Sequence, residues 1–131
     1  MSADSILATS KVIVFAPTKD PVTARAFYEG VLGLRLIQDE APFALVFDAN
    51  GIMLRLSIGS EAPQTGATVL GWKVTDIEST AESLKQAGVT FARYPFLEQD
   101  ELGIWTAPGG ARVAWFQDPD GNTLSISQHE A

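Results

Sequence analysis

The chain has no cysteine and only one histidine in 131 residues. Without thiols there is no disulfide, no thiolate metal centre and no thiol nucleophile. Cations are scarce too, with 9 Lys and Arg against 16 Asp and Glu, a formal net charge of -7. Nucleic acid is therefore not an expected partner, because binding it needs clustered Lys and Arg to neutralise phosphates. No apolar run approaches the roughly 20 residues that cross a bilayer. The N-terminal "MSADSILATSK" also lacks the basic start and longer apolar core of a secretory signal. A cytoplasmic protein with no membrane partner is the expectation.

A composition of 46% hydrophobic and 19% charged residues is that of a globular chain long enough for one core. The expectation is one domain over 1–131, built from two modules at about 10–60 and 67–128. The repeat shows in the turns: Asp48, Gly51 and Leu54 of "ALVFDANGIMLRLSI" match Asp118, Gly121 and Leu124 of "ARVAWFQDPDGNTLSIS" at one offset of 70. Module one reads as a strand at 10–16 and an amphipathic helix capped by Asp20 with Pro21 at its first position. Strands near 34–38, 43–48 and 52–58 follow. Module two reads as a strand at 68–75, a helix from Asp76 to a stop at Gly88, and strands near 89–93, 111–117 and 123–127. Each half has the order βαβββ, so the fold class is α+β. The helix caps repeat at an offset of 56 and the turns at 70, which leaves an aromatic insertion, "FARYPFLEQDELGIWTAPGG", in module two. There Tyr94, Phe96 and Trp105 either wall a pocket or pack over a sheet edge.

"ARAFYEGVLGLRL", "GWKVTDIESTAESLKQAGV" and "VAWFQDPDGNTLSIS" together resemble the vicinal oxygen chelate superfamily, which includes glyoxalase I, extradiol dioxygenases, fosfomycin resistance enzymes and bleomycin-binding proteins. The resemblance covers essentially the whole chain. It implies a glyoxalase/bleomycin resistance-like fold, with two βαβββ modules forming curved mixed sheets around a cup that a homodimer commonly completes. In metal-dependent members, His or Glu ligands sit on the first and last strands of each module. The matching last-strand positions here are Arg55 and Ser125; the first-strand positions fall at Lys11 or Val12 and at Val69. None is a normal divalent-ion ligand, and His129, two residues from the end, does not complete a set. No metal and no cofactor are expected.

The other acidic candidates, Glu98, Asp100 and Glu101, lie in the insertion, while Asp118 and Asp120 suit a turn better than a calcium loop whose other ligands are missing. Ser125 and Ser127 read as structural serines, since no positioned base is evident. Tyr28 and Trp72 read as packing residues, and Trp115 and Phe116 must face opposite ways, one of them into the cup. Arg55 projects into the cup by its alternation with Leu54 and Leu56, either to bind a ligand anion or carbonyl or to pair with a carboxylate; inward Lys11 and Lys73 would favour the ligand. The candidate ligand-binding residues are Arg55, Ser125, Val69, Trp115, Trp105 and Tyr94. Two functions stay open: a metal-free protein that binds a small organic ligand in an apolar cup, or an enzyme of the same superfamily (lyase, dioxygenase or transferase type), metal-dependent or metal-free with Arg55 polarising a carbonyl.

Overall fold

The computed structural model of the chain describes residues 3–129 except 60 and 64, and side chains from residue 6 onward. The outer limits of the expected 1–131 unit, and residue 60 at the expected end of module one, lie outside the described residues. Module one contains β1 (Ile13–Thr18), α2 (Pro21–Arg25), β2 (Arg35–Glu40), β3 (Ala44–Ala49) and β4 (Ile52–Ile58), preceded by a short helix, α1 (Ala3–Ala8), that the sequence reading did not anticipate. Module two contains β5 (Thr68–Lys73), α3 (Ile77–Gln86), β6 (Trp105–Thr106), β7 (Arg112–Gln117) and β8 (Thr123–Gln128). They form two four-stranded mixed sheets, ordered β1-β4-β3-β2 and β5-β8-β7-β6.

Local chemistry sets the helices. Asp20 accepts from Thr23 N at 3.2 Å, and Asp76 from Ser79 N at 3.2 Å, each satisfying an orphan N–H of a first turn. Instead of one continuous α-helix, α2 passes at Ala26–Val31 into a π-helical turn, in which Leu32 N donates to Phe27 O, five residues back. That turn carries Tyr28, which is fully buried. In both sheets the alternate residues of one face are buried: Leu54, Leu56, Leu45 and Phe47 in the first, Leu124, Ile126, Ala114 and Phe116 in the second. Both sets belong to one apolar cluster with Ala24, Tyr28, Ile77 and Ala81 of the helical segments. Trp72, paired with Ile126, packs against this cluster, as its alternation predicted.

Two strands differ from expectation. β1 begins at Ile13 rather than residue 10, so Lys11 and Val12 precede it; it runs through Pro17, which an edge strand tolerates. The expected strand at 89–93 is irregular. Ala92 N bonds Trp115 O at 2.8 Å, but Ala92 O and Tyr94 N, the groups a continuing strand would use, are taken by the Gln99 side-chain amide at 2.9 and 2.8 Å. The chain folds back, and β6 takes the rest of the β7 edge through Trp105↔Val113 and Thr106↔Arg112.

The turn at 118–122 joins the modules. Asp118 Oδ1 accepts from the N–H groups of Asp120 and Asn122, both at 2.9 Å, which makes the turn. Its Oδ2 accepts from Tyr28 Oη at 2.6 Å and from Asn122 Nδ2 at 2.7 Å. Asn122 Nδ2 also donates to Pro17 O at 3.0 Å, and Lys19 N donates to Asp120 Oδ1 at 3.0 Å. The repeat partner Asp48 accepts from Gly51 N at 2.9 Å in its own turn, but the cation it pairs with, Arg35 at 3.9 Å, belongs to its own module.

Burial first, and then the Asp118 carboxylate, push the Tyr28 phenol well above its ordinary 10.0. A raised native value means that the unfolded chain ionises first, so stability present below pH 10 is lost as pH climbs past it. This one group should account for up to about 1.4 kcal/mol per pH unit in that range. Tyr28→Phe should cost about 1.5–3 kcal/mol in urea unfolding at neutral pH and flatten the alkaline loss. A variant that keeps wild-type stability and wild-type alkaline slope would contradict this account.

Candidate functional site

Turning the buried residues of β7 and β8 inward turns their alternates outward. Register sets these in two rows across sheet two. Gly71, Ser125 and Trp115 form one row; Lys73, Ser127, Val113 and Trp105 form the next. The Trp115 ring contacts Tyr94 edge-on, centroids 5.6 Å apart, and Trp105 at 5.9 Å with planes tilted 34°. Tyr94 in turn meets Phe96 at 5.6 Å. Three of the sequence candidates, Tyr94, Trp115 and Trp105, thus meet as a half-buried aromatic wall, while Phe96 stands 78% exposed at its end.

The wall exists because the insertion is tied down. Besides Gln99, Arg93 donates to the carbonyls of Asp100 and Glu101 at 2.6 and 2.8 Å, and Asp100 Oδ1 accepts from Leu102 N and Ile104 N, both at 2.9 Å. Asp100 is therefore a turn residue. Glu98 borders an open cleft of about 730 Å³ beyond Trp105 and Phe96, and Glu101 borders a separate one near Arg93.

At the other end of the row, Gly71 lies under Ser125, and a Cβ there would sit 2.6 Å from Ser125 Oγ. The register neighbour of Ser125 on the first strand is thus Gly71; Val69 sits at a register shift, 44% exposed, and lines a cleft with Val14, Asn50 and Leu54 of module one.

On sheet one, Arg55 is flanked by Phe15 on β1 and Val46 on β3. Its Nη2 donates to Glu40 Oε1 at 2.9 Å, with the two side chains 29% and 30% exposed. Glu40 escaped the sequence reading because β2 carries a register shift between Leu36 and Gln38 that breaks its two-residue alternation. Around the pair the same face exposes Phe15 (60%), Ile13 (44%) and Met53 (38%). Lys11 precedes the strand and stands exposed, as Lys73 does on β5.

The divalent ion that the resemblance implies for some relatives does not fit these positions. The side chains at and beside the last-strand sites are a guanidinium, a phenyl ring, a hydroxyl and a hydrogen atom. Among the described residues no group of three or more His, Asp or Glu could hold a metal ion. Asp118, Asp120 and Tyr28 are engaged in the inter-module bonds, and Phe116 lies in the core, opposite to Trp115. One reading needs correction. Ser127 does have a base beside it: its Oγ is 2.9 Å from His129 Nε2. His129 follows the end of β8 at Gln128, and its place two residues after Ser127 was a signal available at the sequence level.

A family model described as Glyoxalase/Bleomycin resistance protein/Dioxygenase superfamily matches residues 11–126. No curated protein sequence matches the chain. Among solved structures, a lactoylglutathione lyase from Agrobacterium tumefaciens is similar at TM-score 0.70 and 14% identity, over 92% of this chain and 93% of that one. The fosfomycin resistance protein FosX from Mesorhizobium loti gives 0.67 and 15%, over 93% of each chain. TnmS3, an antibiotic binding protein from Streptomyces sp. CB03234, gives 0.66 and 20%, over 93% of this chain and 97% of its own.

A double-mutant cycle measures what holds Arg55. Arg55→Met and Glu40→Gln should each destabilise, with a coupling of about 0.5–1.5 kcal/mol in urea unfolding, because the pair is partly shielded but still reached by solvent. Additive effects would mean that the pair does not act as a unit.

Proposed function

Because the chain belongs to the Glyoxalase/Bleomycin resistance protein/Dioxygenase superfamily, we propose that it binds a small planar organic molecule against the aromatic wall of sheet two, with no metal ion in the site. The observation that carries this reading is the Tyr94–Trp115–Trp105 cluster, two rings that each contact Trp115, all three half-buried, beside Ser125, whose hydroxyl takes the space that Gly71 leaves by lacking a Cβ. Aromatic side chains give a planar ligand a large contact area and favour offset or edge-on ring packing. Ser125 borders the wall and supplies a hydroxyl, while Val69 offers an apolar contact in the cleft it lines with module one. Arg55 offers the anion- or carbonyl-binding group: Glu40 holds one edge of the guanidinium, and its remaining N–H donors are directed by that fixed pair. The antibiotic binding protein among the structural neighbours is a counterpart for binding without a named reaction.

In this reading the assembly is a cytoplasmic homodimer. A second copy covers the apolar surround of Arg55, where Phe15 stands 60% exposed. Both sheets also end in open edge strands, β1 and β2 in one, β5 and β6 in the other.

1-Naphthoate, a planar arene with one carboxylate, serves as the probe. Its titration should quench tryptophan fluorescence. Trp115→Ala and Trp105→Ala should each weaken binding by about 0.5–1.5 kcal/mol, and Arg55→Met by about 1.5–3 kcal/mol. Arg55→Lys should restore only part, since an ammonium lacks the planar fork. Light scattering should give the mass of two chains. Affinity indifferent to the tryptophan changes would overturn the wall as the site, and a monomer at all concentrations would overturn the dimer.

A further inference from the structure

We propose that Ser127 and His129 form a nucleophile–base pair that takes the acyl group of a small aryl ester. Ser127 Oγ and His129 Nε2 are 2.9 Å apart, within the reach that proton transfer requires. Ser127 is held on a rigid element: it lies in β8 between β5 and β7, and its own carbonyl accepts from Val74 N at 2.8 Å, while His129 follows the last residue of that strand. Ser127 is half-buried and His129 is exposed, so a substrate reaches both.

The position of the pair names the substrate. Ser127 shares a row with Lys73 on one side and with Val113 and Trp105 on the other, one row from Trp115. An arene seated on the wall therefore lies on the same face as the hydroxyl, and this part of the inference rests on the binding reading above. Lys73, exposed and in no ion pair among the described residues, is the cation of that row. It offers positive charge to an oxyanion formed at Ser127.

In the tautomer with Nε2 unprotonated, His129 accepts the Ser127 proton as Oγ attacks the ester carbonyl. The bond from the carbonyl carbon to the aryl oxygen breaks, and His129 returns the proton to the departing aryloxide. Water then attacks the acyl-serine and releases the carboxylic acid, leaving the hydroxyl free. No carboxylate among the described residues is bonded to the histidine, so the pair is a dyad, and slow turnover with accumulation of acyl-serine is the expected behaviour.

The test uses 1-naphthyl acetate with the full chain. Wild-type protein should gain the mass of one acetyl group, located on Ser127 by peptide fragmentation. Ser127→Ala should abolish the adduct, and His129→Gln should slow naphthol release by roughly a hundredfold. Neither change should alter 1-naphthoate quenching of tryptophan fluorescence. Acetylation confined to lysines, or an adduct and rate unchanged in His129→Gln, overturns the dyad, and the binding reading survives if naphthoate still binds. Acetylation at Ser127 with no naphthoate binding upholds the dyad and overturns the wall.

Discussion

The side chain of Asp118 has to satisfy four donors at once, and the relation between the two modules depends on its doing so. Two backbone N–H groups on one oxygen shape the turn; a phenol and an amide on the other come from what surrounds it. Tyr28 reaches this carboxylate from the other module, 90 residues away in the chain. Because the tyrosine is fully buried and the aspartate 5% exposed, neither polar group has water to fall back on, so each requires the other. The helical turn that carries Tyr28 also brings Phe27 to the Phe116 ring, centroids 6.5 Å apart, so the polar contact and the apolar core fix the same docking. Among the described residues the first module's equivalent carboxylate, Asp48, bonds within its own module, and the pairing of the two halves is accordingly asymmetric.

Most of the fold was legible because it rests on local rules. Asp20-Pro21 and Asp76 announced helix starts, Gly88 with φ at 107° a helix end, and the matched turns the two hairpins. What was not legible depended on chain segments meeting from a distance. Asp118 could be read as a turn former, but nothing near it in sequence pointed to Tyr28. Val89–Arg93 had the composition of a strand, but Gln99, the ninth residue of the insertion, captures Ala92 O and Tyr94 N, the groups its ladder would have continued through. The π-helical turn after Arg25 left no mark in the apolar spacing.

The candidate site divides in the same way. The two alternating faces of β7 and β8 follow from a two-residue period, and with them the outward position of Trp115 and Ser125. Arg55 was placed by the same rule, and its need for a partner by the cost of shielding a lone charge. That the partner is Glu40 depends on an irregularity in β2 that no periodicity conveys. His129 has no role legible from its place near the end of the sequence, although only one residue, Gln128, separates it from Ser127.

The insertion also separates two kinds of constraint. Its backbone is anchored chiefly by polar groups of Gln99, Asp100 and Arg93, whereas its exposed ring, Phe96, and its wall rings, Tyr94 and Trp105, take no part in that anchoring through their side chains. Scaffold and contact surface are thus written in different residues of one short segment. Substitutions at the rings alter the surface this face presents while the tether stays whole, so the face can change by a route through this loop that does not pass through the stability of the sheet.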